Sequence, residues 1–513
     1  ARRHMQGVAV ASSTKLAADA GAIIADAGGN AVDAAVGAAL VSITTEPAIC
    51  SLGAGGFLTI WPPDEDPVTI DGYIEMPGRG LPADRFGGGR RDVHIEYGLG
   101  VDLTVGHGSV GTPGALAALS LASRKYGRLP WSEVVEPAYQ DVKNGFALSL
   151  ASYTYLVHAA GPVFGWNEPS YRALHHADGT LRKPGETIWI EELAHTLRRI
   201  ADHGSEEFYV GETARMIVAD MAANGGILTA DDLATYQPIV RRPLVTGVEK
   251  WQVATNPPPA LGGSTLTAML LLMQNAPVDR WGPAEVAWLA RVQEGVFDYR
   301  LENLDLSEDL EEDLRVLLEE AKAGELKRWI TSPSTVHTSA VDADGLACSV
   351  TLSAGYGSGV MPPGTGAWMN NCLGEHELNR RGYHAWTPGT RLPSNMAPTV
   401  ARHEDGSVMA IGSPGADRIT TAILQVLVNH LHLGMDLAEA IGHPRLHVDM
   451  TAGEKFAAYE AGLPVDELRI PSRKFDRLNM YFGGAGAAKL DADGDFEVAA
   501  DPRRGGGTTI GGR

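Results

Sequence analysis

Apolar positions fall into two textures along this chain. Up to about residue 330 they recur mostly at helical spacing. Leu16 to Ala27 reads as a helix that stops at Gly28-Gly29, and Ala31 to Val41 as an Ala-rich second one. Ala115 to Tyr126 and Trp131 to Lys143 read as a further pair, and residues 190–330 as mostly helical with a strand near Val248 to Ala254. Val8-Ala9-Val10 and the run ending Phe57-Leu58-Thr59-Ile60-Trp61 are strand-like, the latter fed by the Gly-rich turn from Ser51. From Thr335 short β runs take over, at 335–342, 346–353, 366–371, 397–402 and 407–413, followed by a helix from Ile419 to His432 and a strand-like end at 495–500. Strands concentrated in one half and helices in the other predict an α+β layered sandwich assembled from both. No linker, internal repeat or low-complexity tract divides the chain, so one structural domain is expected.

The segment at Thr335 carries the first chemical hint. It follows the breaker-rich Thr331-Ser332-Pro333-Ser334 and opens a strand. A chain cut before Thr335 would place a hydroxyl nucleophile and its own α-amino base on one residue. Ala343-Asp344-Gly345 suits a three-residue hairpin loop with glycine in the left-handed position. That loop pairs Asp342 with Leu346, which sets Ser353 opposite Thr335 as an orienting hydroxyl and Thr351 opposite His337 as the second choice. Gly412-Ser413-Pro414-Gly415-Ala416-Asp417-Arg418 ends a strand and begins a helix, aiming the amides of Gly415 and Ala416 at a developing oxyanion. Pro393-Ser394-Asn395-Met396-Ala397-Pro398-Thr399 holds a polar pair between prolines.

Composition narrows the classes. At 44% hydrophobic and 20% charged the 513 residues are those of a globular protein, and a formal charge of -21 leaves no basic stripe for nucleic acid. Cys50, Cys348 and Cys372 are too scattered for a disulfide framework or a C-x-x-C metal site and read as buried hydrophobes. His430 and His432 lack further spaced ligands, so neither a metal nor any other cofactor is expected. The Gly-rich run at Ser51 lacks the G-x-x-x-x-G-K-[ST] pattern of a phosphate loop. The acidic stretch Ser307 to Trp329 reads as a solvated helix face. No run approaches the roughly 18 apolar residues of a membrane span, and no apolar leader precedes Val8. The sequence as it stands therefore reads as cytoplasmic, or as periplasmic or secreted if a leader has been removed.

Several of these segments together resemble the γ-glutamyltranspeptidase family of N-terminal nucleophile hydrolases. They are Thr335 to Gly345, Asn370-Asn371, Ser394 to Thr399 and Gly412-Ser413-Pro414-Gly415, preceded by Gly28 to Ala35, Leu52 to Phe57, Gly111-Thr112-Pro113-Gly114 and Pro257-Pro258-Pro259, and ended by Ala500-Asp501-Pro502-Arg503-Arg504. The likeness covers nearly the whole chain in order. It implies a four-layer αββα sandwich formed jointly by a large subunit, 1–334, and a small subunit, 335–513, after autocleavage between Ser334 and Thr335. Thr335 would then form an acyl-enzyme with a γ-glutamyl amide, resolved by water or an amino-acid acceptor; whether the heterodimer pairs further stays open. The resemblance also implies that Ser353 stands for the family's second threonine, that Ser394 and Asn395 hold the glutamyl α-carboxylate, and that Glu375 takes the α-amino group. An arginine that clamps the carboxylate in the family is replaced by Ile74, with Arg79 and Arg85 as nearby substitutes. Other readings left open are an amidase or acylase for a glutaryl-type donor and a processing-deficient, non-catalytic relative.

Overall fold

The turn at Gly345 takes the left-handed φ of +83° that the hairpin requires, and the strands Val336–Asp342 and Ala347–Ser353 follow from it. Val336 pairs with Leu352 and His337 with Thr351, which is the register counted from the loop. The computed structural model describes residues 7–97, 100–276, 278–323, 335–450 and 455–512. Ser334 and the stretch 324–329 of the expected acidic helix lie outside the described residues; the helix itself runs Leu310–Ala323 and buries Leu310, Leu314, Leu317 and Ala321.

This hairpin is the centre of a seven-stranded antiparallel sheet. Its order is Gly507–Gly511, Val8–Ser12, Val336–Asp342, Ala347–Ser353, Gly55–Trp61, Val68–Gly72 and Ile239–Arg241. A second antiparallel sheet has the order Phe496–Ala500, Gly486–Leu490, Val408–Gly412, Thr399–His403, Trp251–Thr255 and Leu244–Val248. The helices Lys15–Asp26 and Ala31–Thr45 cover the outer face of the first sheet, and Leu261–Gln274 with Arg418–Leu427 cover the second. Between the sheets lies a thin layer that includes Ala9, Trp61, Val341, Val400 and Ala410. The result is the four-layer αββα sandwich expected.

Three predicted elements are corrected. The strand near Val248 to Ala254 is two strands, because Glu249 takes φ +51° and turns the chain between Val248 and Trp251. Residues 366–371 form no strand; Met369 makes an isolated bridge to Gly53. The helix over 419–432 is α-helical as Arg418–Leu427 and finishes as a π turn, Val428–His432. The three cysteines are free and buried, as read.

Toward the Thr335 end the layer between the sheets turns polar. His337 projects at Gly412, where a Cβ would meet its ring at 2.3 Å, so only glycine makes room for it. Its Nε2 lies 2.7 Å from Ser339 Oγ, which donates to the Gly486 carbonyl at 3.1 Å, and its Nδ1 lies 2.9 Å from Thr351 Oγ1. Ser339 therefore accepts from Nε2–H, and Thr351 donates to Nδ1. Thr351 is thereby committed to His337. Burial pushes the imidazole down to about 3.

In the unfolded chain His337 takes a proton near its ordinary value of about 6.5. The neutral, buried imidazole therefore contributes stability that is complete above that pH and is lost as pH falls toward 3. Glu46, raised to about 8 by burial, works in the opposite direction from pH 8 down to its ordinary 4.5. The readout is therefore the difference in unfolding free energy between the parent and His337→Gln. That difference should shrink by about 1.4 kcal/mol per pH unit between pH 6 and 4. A difference that is constant with pH would show that His337 is not neutral in the folded protein.

Candidate active site

Continuing the hairpin register past Val336 and Leu352 brings Thr335 and Ser353 together at one edge of the layer between the sheets. Thr335 is 2% exposed and Ser353 6%. Both line a small cavity whose wall also includes Glu375, Ser394, Asn395 and Ala416, with Tyr73 beside them. Residues from Tyr73 to Ile419 thus converge on one space.

Each is fixed by a local device. Ser353 Oγ accepts from the amide of Gly355 at 3.1 Å, closing a tight turn at the strand end. Gly355 has φ +62°, and a Cβ there would come within 2.3 Å of Asn371 Oδ1 and 3.0 Å of Glu375 Oε1; only glycine lets the turn lie against the carboxyl. The Ser394 carbonyl accepts from Leu261 and Gly262, the first amides of the helix Leu261–Gln274, at 2.9 and 3.0 Å. Its Oγ accepts from the Met396 amide at 3.2 Å. That helix end docks closely enough for a Cβ on Gly262 to meet Asn395 O at 2.2 Å.

Asn395 is held by a residue the sequence did not single out. Arg300, 1% exposed, donates from Nη1 to Asn395 Oδ1 at 2.7 Å and pairs through Nε with Asp305 Oδ1 at 2.8 Å. Arg380 approaches the other Asp305 oxygen at 3.5 Å. Arg300 begins the π turn Arg300–Leu304 at the end of the helix Pro283–Tyr299. The wider turn swings the arginine inward, a local change of pitch that the sequence pattern does not signal. Arg300 Nη2 and Asn395 Nδ2 are buried and make no hydrogen bond among the described residues.

Glu375 is 4% exposed, and among the described residues its Oε1 makes no hydrogen bond. Burial, reinforced by the nearby Glu377 carboxyl, holds its acid well above the ordinary range. An ammonium placed beside it would favour the carboxylate.

Gly415 and Ala416 form the turn before Arg418–Leu427, at φ +123° and +69°. Among the described residues neither amide donates to a protein group. Their carbonyls accept from Arg418 and Ile419 at 3.1 and 3.3 Å, so the turn is tied into the helix start while its amides stay available. Alanine at positive φ is strained, and such strain collects where backbone geometry is functional.

Arg79 is not brought to this cavity. Its Nη1 lies 3.4 Å from Glu75 Oε2 and 3.5 Å from Asp232 Oδ1. Arg85 is exposed on a short 3-10 turn. Ile74 is fully buried against Gly55 and Gly111. Arg391 is spent on Asp71 and Glu75 and stacks over Tyr236. Among the described residues no lysine or arginine lines the cavity itself.

A group that can be acylated, an opposed hydroxyl, two unused amides at a helix start and a buried acid with a polar pair make a site for acyl transfer from an amide. A family model described as Gamma-glutamyltranspeptidase matches residues 17–511. The chain is 30% identical over 537 residues to the glutathione hydrolase proenzyme of Escherichia coli K12, covering 98% of this chain and 91% of that protein. It is 28% identical to the acylase ACY 1 proenzyme of Pseudomonas sp. SE83, over 96% and 91% of the two chains. The solved cephalosporin acylase of Bacillus halodurans superposes with a TM-score of 0.78 at 24% identity, over 98% of this chain and 96% of that one, and shares the fold.

Proposed function

This chain belongs to the γ-glutamyltranspeptidase family, and from that premise we propose that it is a γ-glutamyl transferase and hydrolase acting on γ-glutamyl amides such as glutathione through an acyl-enzyme on Thr335. The observation that carries the reading is the convergence of Thr335, Ser353, Glu375, Ser394, Asn395 and Ala416 on one cavity. The chain is first a precursor. The Thr335 hydroxyl attacks the preceding carbonyl, and the resulting ester is hydrolysed to leave subunits 1–334 and 335–513 with Thr335 as a new N-terminus. The relatives named as proenzymes support this order.

In the mature enzyme the Thr335 α-amino group takes the proton from its own hydroxyl as Oγ1 attacks the γ-carbonyl. The amides of Gly415 and Ala416 receive the oxyanion, and Ser353 orients the nucleophile. Collapse expels the amine, and water or an acceptor amine then releases the acyl group. Glu375 receives the donor's α-ammonium. Ser394 and Asn395, with Arg300 behind Asn395, receive its α-carboxylate. Charge at that end thus comes through an amide from a buried guanidinium.

A second reading, an acylase for a glutaryl-type donor without the α-amino group, is favoured by the likeness to the named acylase. The two separate on γ-glutamyl and glutaryl p-nitroanilides. The parent should cleave the γ-glutamyl anilide at least about tenfold faster in kcat/KM, and Glu375→Gln should erase that preference through KM, since a charge-assisted contact is lost. A parent that prefers the glutaryl anilide would make the chain an acylase.

A further inference from the structure

A second cavity reaches Thr335 and has no other residue in common with the first. Its wall carries Glu46, Arg504, Asp501 and His337. Two of these are already committed. Asp501 accepts from the amides of Ala485 and Arg503 at 2.8 and 3.0 Å and pairs with Arg445 at 2.8 Å. His337 has both ring nitrogens engaged.

Glu46 and Arg504 are different. Glu46 ends the helix Ala31–Thr45, is 2% exposed, and has a buried Oε2 without a hydrogen bond. Arg504 has a buried Nε in the same condition. Neither side chain makes a hydrogen bond or an ion pair among the described residues, yet each feels the other's charge. An acid and a base that face one cavity and stand too far apart to pair with each other leave a gap for a group carrying both charges. Buried charges of this kind are stable only when something supplies the missing partners.

We propose that Glu46 and Arg504 form the acceptor subsite, holding an amino acid or short peptide with its carboxylate on Arg504 and its ammonium on Glu46, beside the acylated Thr335. This rests on the acyl-enzyme reading above. The step balances without a further reactant. The Glu46 carboxylate removes one proton from the acceptor ammonium, and the freed amine nitrogen attacks the ester carbonyl carbon. As the C–N bond forms and the C–Oγ1 bond breaks, a second nitrogen proton passes to Thr335 Oγ1, leaving an amide, a threonine hydroxyl and a protonated Glu46. The acid is suited to the exchange: burial raises it to about 8, alongside the ordinary range of an α-amino group at about 7.7–8.0.

The test uses the γ-glutamyl p-nitroanilide donor with glycylglycine or its C-terminal amide as acceptor, reading the ratio of transfer product to hydrolysis product. Both products leave the same acyl-enzyme, so the ratio isolates acceptor capture from acylation. In the parent, glycylglycine should be captured at least about tenfold better than its amide. Arg504→Ala should lower capture of glycylglycine by about tenfold or more while leaving the ratio for the amide in place, and Arg504→Lys should restore part of it. Glu46→Gln should lower capture of both. An unchanged ratio in Arg504→Ala, or hydrolysis by the parent with no transfer at any acceptor concentration, overturns the subsite and leaves the donor reading standing. A parent that releases no nitroaniline overturns that reading and the subsite with it.

Discussion

Thr335→Ala should yield one intact chain of 54.3 kDa under denaturing conditions. The parent should split into pieces of roughly 35 and 19 kDa by residue count, the smaller beginning Thr-Val-His. The same substitution removes the hydroxyl for both events, the self-cleavage and the acylation, so anilide cleavage should fall by at least about a thousandfold. Thr335→Ser keeps an oxygen nucleophile at the same place and should process, more slowly, into an active enzyme. Thr335 is buried at the mouth of a sheet, and deleting its Oγ1 and methyl leaves the Val336–Leu352 register untouched, so a folded, unprocessed Thr335→Ala protein is the expected material. An alanine variant that still splits at this bond would remove Thr335 from the mechanism and return the scattered motifs to ordinary strand and turn duties.

The second large effect belongs to the backbone. Gly415→Ala places a Cβ at 2.8 Å from the Cα of Gly483 on a residue whose φ is +123°. Backbone meets backbone there, and no side chain can swing aside. The turn must shift, and the amides of Gly415 and Ala416 go with it. Loss of one oxyanion donor typically costs about 10² to 10³ in kcat, and that range is expected here, with KM for the donor altered much less. Ala416→Gly, the companion variant, keeps the amide and relieves the strain of alanine at φ +69°; its kcat should stay within tenfold of the parent and its melting temperature should not fall. If Gly415→Ala retained full kcat, the oxyanion would have to be held elsewhere.

Much of this was legible in the residues, for identifiable reasons. The hairpin at Thr335 follows from a loop that only glycine closes and from a register in which every step is two residues deep, so Ser353 could be placed opposite Thr335 by counting. The helix beginning at Ala31 announces itself through its alanine content, and Ala115–Tyr126 through apolar spacing. The last strand of the first sheet, Gly507–Gly511, did not. Its glycines carry no β signal, and they are there because the strand packs on the first helix, where a Cβ on Gly507 would meet Lys15 Cα at 2.3 Å. Arg79 was chosen by nearness in sequence to Ile74, but nearness in sequence does not say which way a side chain turns. Asp232 and Glu75 claim it, and the buried guanidinium that reaches the site comes from Arg300, whose orientation depends on one widened helical turn. Glu46 and Arg504 lie 458 positions apart, and no periodicity links them.

The strand led by Thr335 lies between Val8–Ser12 and Ala347–Ser353, and in the other sheet Trp251–Thr255 lies beside Thr399–His403. Segments from before and after the Ser334–Thr335 bond are therefore shuffled together in both sheets like two interleaved decks. A nick at that bond releases nothing: neither piece owns either of the two large sheets whole, and parting them means unzipping ladders in both. Such a protein has no separable modules to trade. A lineage can lengthen its loops or repaint its cavities, but the two halves of the gene are bound to be inherited, expressed and replaced together.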